Sequence, residues 1–202
     1  MELSLKDNKA LHELHDKSLE YRDLLKLPTL ISAASLATVM KGCAEIDTIH
    51  GVNMVVLGRG GDLVDGFVAR LLHQETDMGA LVDTAFDKLG MTAIIGAAWH
   101  KNAVPKPVLA TIGGKQALNA SLTAIHAHRH PTANFRPTKA GKQAMFADNV
   151  ALISYLYANA FELERPDLEK HEHFRTLGNA AFAAGIALSV PATATYVQRA
   201  VS

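Results

Sequence analysis

The chain has 202 residues, a length suited to one domain, and its 20 Lys plus Arg equal its 20 Asp plus Glu. So even a balance gives no argument for a nucleic-acid partner, which needs a basic excess. The single cysteine, Cys43, excludes an internal disulfide, and 49% apolar residues with a mean hydropathy of +0.08 do not by themselves mark a membrane protein.

Residues 1–26 are expected to form an amphipathic helix. Leu3, Leu11, Leu14, Tyr21 and Leu25 recur at roughly helical spacing among charged residues. Such a helix lies in a membrane interface, or packs solvated against the domain. It lacks the apolar core of a cleavable signal. Residues 27–202 form the second, larger unit. Leu27–Met40 is free of charge. Gly42–Arg70 and Met78–Trp99 are mostly apolar. Val104–Ile125 carries Lys106 and Lys115, and Ala144–Phe161 carries Asp148. Thr176–Gln198 runs 23 residues without a charge, long enough to cross a bilayer. Six helices are therefore expected in an all-α chain. Only the last is a clear membrane span by hydropathy. Charge inside the others is what a membrane helix places toward a polar cavity.

The connections carry a topological signal. Residues 128–142 hold Arg129, Arg136, Lys139 and Lys142 and no acid. Residues 162–173 hold Glu162, Glu164, Asp167, Glu169 and Glu172 against Arg165 and Lys170. Basic excess in a short loop points to the cytoplasm, so 128–142, both termini and Leu71–Asp77 are expected there, with 162–173 outside. Trp99, near a helix end, reads as an interface anchor. His126, His128, His130, His171 and His173 fall in expected loops and lack the spacing of a helical metal pair. Gly58, Gly60, Gly61 and Gly66 permit close helix approach or admit a nucleotide. Gly58-Arg-Gly-Gly lacks the strand–turn–helix context of a dinucleotide fingerprint.

The densest chemical signal is Asp62-LVDGFVARLLHQETDMGALVDTAF-Asp87, with spacing D-x2-D-G-x2-A-R-x8-G-x3-D-x3-D. On a helix Asp62, Asp65 and Ala69 share one face, and Asp83 and Asp87 lie one turn apart on the next helix. If the two helices pack antiparallel, four carboxylates converge. They repel unless cations sit among them. Oxygen ligands select a hard cation such as Mg2+, Mn2+ or Ca2+.

This stretch resembles, at every fixed position, the signature of the CDP-alcohol phosphotransferases, integral membrane enzymes of phospholipid synthesis. The resemblance implies an all-α bundle of six transmembrane helices in the cytoplasmic membrane, a homodimer, and an active site facing the cytoplasm. It implies two Mg2+ or Mn2+ ions held by Asp62, Asp65, Asp83 and Asp87, with Asp87 as the base for the acceptor hydroxyl. Gly66, Ala69, Arg70, Thr76 and Gly79 match donor-binding positions of the family. Pro28-Thr29-Leu-Ile-Ser32 resembles P-[NT]-x2-T, with serine keeping the hydroxyl. Lys115-Gln116 and Gly141-Lys142 fall where phosphatidylglycerophosphate synthases carry Arg-Glu and the start of G-K-x-K-T. Lys115 and Lys142 are then expected to bind the acceptor. Lysine at 115 lacks the fork of arginine, and Ala144-Met145 replaces Lys-Thr. The expected reaction joins CDP-diacylglycerol to a small phosphorylated alcohol among membrane lipids, releasing CMP. Glycerol 3-phosphate is the first acceptor and an inositol phosphate the alternative. A non-catalytic protein that binds divalent cations and a soluble helical bundle are the rival readings.

Overall fold

A computed structural model describes residues 27–71, 77–129 and 138–201. Among them are six α-helices and no strand. They are α1 Leu27–Ala44, α2 Ile49–Leu71, α3 Asp77–Lys101, α4 Lys106–Arg129, α5 Lys139–Glu164 and α6 Lys170–Val201. The expected helix at 1–26 lies outside the described residues. Helix number and order match the apolar segments, but several ends run further. α4 continues to Arg129, past the apolar stop at 125. α5 begins at Lys139 rather than 144, and α6 at Lys170 rather than 176. Lys, Gln and Glu propagate a helix as well as most apolar residues do, so charge does not end one. Consequently the expected loop 162–173 shrinks to Arg165–Glu169 around a 3-10 turn, and His126, His128, His171 and His173 are helical rather than in loops, while His130 lies outside the described residues.

Two compact units divide the helices, one within Met1–Lys41 and Met54–Ala93, the other within Gly42–Asn53 and Ile94–Ser202. In the first, α1 lies directly on the glycines of α2. A Cβ on Gly58 would stand 2.6 Å from Val39 Cγ2 and 2.7 Å from the Ser35 carbonyl oxygen. One on Gly61 would stand 2.0 Å from Ser35 Oγ. Gly60 meets nothing within 4 Å, so two of the clustered glycines serve close packing and one does not.

In the second unit, Thr48 Oγ1 accepts the Gly51 N–H at 2.9 Å and caps the start of α2. Another free N–H of that first turn, at Ile49, donates to Glu164 Oε1 at 3.2 Å. Lys101 Nζ meets Asp47 Oδ2 at 3.0 Å. That hydrogen bond, with the lysine's charge, holds the Asp47 carboxyl below the usual carboxylate range. The Tyr157 hydroxyl donates to Asn53 Oδ1 at 2.6 Å. Its ring stacks on Phe174, which stacks on Phe161. α5 packs along α6, and α4 also packs on α6. A Cβ on Gly178 would stand 3.3 Å from the Tyr155 ring, so glycine lets α6 pass close to that ring. Lys106 Nζ lies 5.7 Å above the Trp99 ring.

Among the described residues one stretch, Lys170–Gln198, is long and apolar enough to cross a membrane. Only 17% of its apolar window is buried. Leu177, Ile186, Val190 and Val197 are all exposed.

Candidate active site

α2 and α3 carry the aspartate motif, and the parts of them that bear it lie within the first unit, between Met54 and Ala93. The helical backbone sets Asp62 and Asp65 about one turn apart on α2, and Asp83 and Asp87 one turn apart on α3. The two helices are tied by Arg59, whose Nη1 lies 2.5 Å from Asp87 Oδ1. Residues 59 and 87 each stand roughly 15–18 Å along their helix from the connection at 72–76. Equal distances from a short connection are what an antiparallel helix pair gives, and they put positions 62 and 83 at similar height. The motif thus supplies two rungs of acidic positions on neighbouring helices.

Asp87 is the one member of the quartet whose side chain is described. It is 29% exposed, and the Arg59 side chain 13%. An accessible carboxylate is an oxygen donor of the kind a hard cation takes, but here Arg59 already occupies one of its oxygens. The side chains of Asp62, Asp65, Gly66, Ala69, Arg70, Gly79 and Asp83 lie outside the described set, as do those of Pro28 and Thr29, and Thr76 lies outside altogether. Among the described residues no group of three or more His, Cys, Asp or Glu side chains could hold a metal. Ser32 is described and buried, at 3% exposure.

The two expected acceptor lysines belong to the second unit. Lys115, on α4, reaches Asp148 on α5, with Nζ 2.7 Å from Oδ1. Asp148 is 5% exposed and Lys115 15%. α6 closes the third side through Gly185, where a Cβ would stand 2.4 Å from Asp148 Oδ1. Lys142 stands in the exposed first turn of α5, roughly 9 Å along the axis from Asp148. Beside it, Gly141 donates its N–H to the capping Thr138 hydroxyl and leaves room for the Tyr196 hydroxyl. The structure therefore does not pair the two lysines; it pairs Lys115 with an acid.

Arg59 and Asp148 were not among the expected site residues. Asp148 carried a signal in sequence, a single charge inside an apolar run, whereas Arg59 stands among the charges of the motif itself and had none of its own. Which residue each charge meets depends on the approach of separate helices.

Acidic positions paired on adjacent helices of an all-α chain are the pattern by which the family is compared. The sequence pattern of the CDP-alcohol phosphatidyltransferases matches residues 25–191, and the chain belongs to that family. Family members are membrane proteins of phospholipid synthesis. Relatives from Mycobacterium bovis and Mycobacterium tuberculosis, each named "Putative cardiolipin synthase", are 30% identical over 137 residues. The match covers 66% of this chain and 65% of the length of those relatives. No solved structure matches the chain.

Proposed function

We propose that this chain is a membrane enzyme that transfers a phosphatidyl group from CDP-diacylglycerol to a phosphate-bearing alcohol. The observation that carries the reading is the complete aspartate signature on two adjacent helices of a chain that belongs to the family. Membrane insertion is supported by α6, whose apolar window is largely exposed, unlike the core helix of a soluble protein. The six-helix order supports the rest of the bundle.

Asp62, Asp65, Asp83 and Asp87 would hold two Mg2+ or Mn2+ ions. Bound there, the ions neutralise the donor diphosphate and favour in-line displacement. Arg70 offers two parallel N–H bonds to a phosphate, and Gly66 allows close approach of the donor. Asp87 accepts the proton of the acceptor hydroxyl as its oxygen bonds to the phosphatidyl phosphorus. The bond from that phosphorus to the CMP oxygen breaks, and CMP leaves. Lys115 and Lys142 bind the acceptor phosphate.

Glycerol 3-phosphate is the acceptor to which the spacing of Lys115 and Lys142 points. A second reading takes phosphatidylglycerol, giving cardiolipin. It is favoured by the name of the mycobacterial relatives and by the Lys115–Asp148 pair. The test is CMP release by purified protein given CDP-diacylglycerol, Mg2+ and each acceptor. Chelation should abolish release and Mg2+ or Mn2+ restore it. Full activity in excess chelator would overturn the proposed metal site.

A further inference from the structure

The Lys115–Asp148 pair is buried, crosses two helices and is backed by a third. We propose that Asp148 is a positioning residue that fixes the Lys115 ammonium and sets the charge of the acceptor, favouring a phosphodiester alcohol over a phosphomonoester. This rests on the acceptor-binding role proposed above for Lys115.

The argument begins with donors and charge. An ammonium has three N–H donors. Asp148 Oδ1 takes one at 2.7 Å, leaving two. A phosphodiester presents two non-bridging oxygens and one negative charge, which those two donors match. A phosphomonoester carries about −1.5 to −2 charges near neutral pH and a third terminal oxygen. Its extra charge gains nothing from a lysine already neutralised and is repelled by the Asp148 carboxylate. Burial sharpens the effect, because water screens little between groups this enclosed.

Asp148 is also held in place. Gly185 is the residue that lets α6 pass this carboxylate, since any Cβ would stand 2.4 Å from Oδ1. One α-helical turn beyond Lys115, Asn119 Oδ1 accepts from Thr193 Oγ1 at 3.4 Å and ties α4 to α6. Following Lys115 in sequence, Gln116 Nε2 is buried with no hydrogen-bond partner among the described residues.

The experiment measures CMP release with glycerol 3-phosphate and with phosphatidylglycerol in mixed micelles, for the wild type, Asp148→Asn and Gly185→Ala. The wild type should favour phosphatidylglycerol. Asp148→Asn should shift the ratio of the two kcat/KM values toward glycerol 3-phosphate by at least tenfold, with the KM for CDP-diacylglycerol unchanged. A merely structural role would move both acceptors and the donor together. Gly185→Ala keeps the charge but displaces the carboxylate, and should move the ratio in the same direction. It carries the test if Asp148→Asn is not recovered folded. CMP release by the wild type with an unchanged acceptor ratio in the folded variants overturns the role of Asp148 alone. Absence of CMP release by the wild type with either acceptor overturns the reaction and this inference with it.

Discussion

Asp87 faces Arg59 at 2.5 Å, and that contact makes two separable predictions. Asp87→Asn removes the proposed proton acceptor with little change of shape. Turnover should fall by at least ~100-fold, and kcat/KM should lose its dependence on a proton-accepting group, measured as a pH profile of CMP release. Arg59 competes with any cation for the same carboxylate. Arg59→Gln should therefore lower the Mg2+ concentration giving half-maximal activity several-fold, read from a metal titration. A higher Mg2+ requirement would mean that Arg59 supports the cation site rather than competing with it. The placing of the aspartates one turn apart on two successive helices was legible from spacing, because i, i+3 and i+4 relations are fixed within a helix. The partners of Asp87 and Lys115 were not, because Arg59 and Asp148 reach them from other helices.

At the scale of the helix, glycine acts by position rather than by presence. Gly58→Ala brings a methyl against Val39 and the Ser35 carbonyl of α1. It should cost about 1–3 kcal/mol, the usual range for overpacking. Gly96 has open space around its Cβ position. Gly96→Ala should instead raise stability by about 0.5–1 kcal/mol through helix propensity. Thermal unfolding in detergent separates the two signs. The link between α1 and α2 makes a different forecast. Asp47 is held below its ordinary range by Lys101, so its contribution is present above the unfolded value and fades as pH falls through the folded one. Melting of the wild type should lose more stability on acidification than that of Asp47→Asn, by a small margin, since both side chains are over a third exposed. Apolar runs revealed all six helices but misplaced several ends. Hydropathy reports where a helix meets an apolar environment, whereas Lys139, Glu162 and Lys170 continue the same hydrogen-bond ladder beyond it.

For the whole molecule the charge asymmetry of the connections makes a prediction of orientation. Single cysteines placed in 130–137 and at Asp167, in a Cys43→Ala background, should be labelled from opposite faces of the membrane, the first from the cytoplasmic face. Labelling of both from one face would remove the six-span arrangement. One contact in the finished fold also implies an order of assembly. The Ile49 N–H meets Glu164 across a sequence separation of 115 residues. At about 5–20 residues per second, the ribosome needs roughly 6–23 s to make the intervening chain. Throughout that interval the start of α2 has its Thr48 cap but not its second partner, so this end of the helix is sealed only after α5 is complete. Truncation before residue 164 would leave the proposed catalytic hairpin with every aspartate in sequence and its α2 start still missing that hydrogen bond.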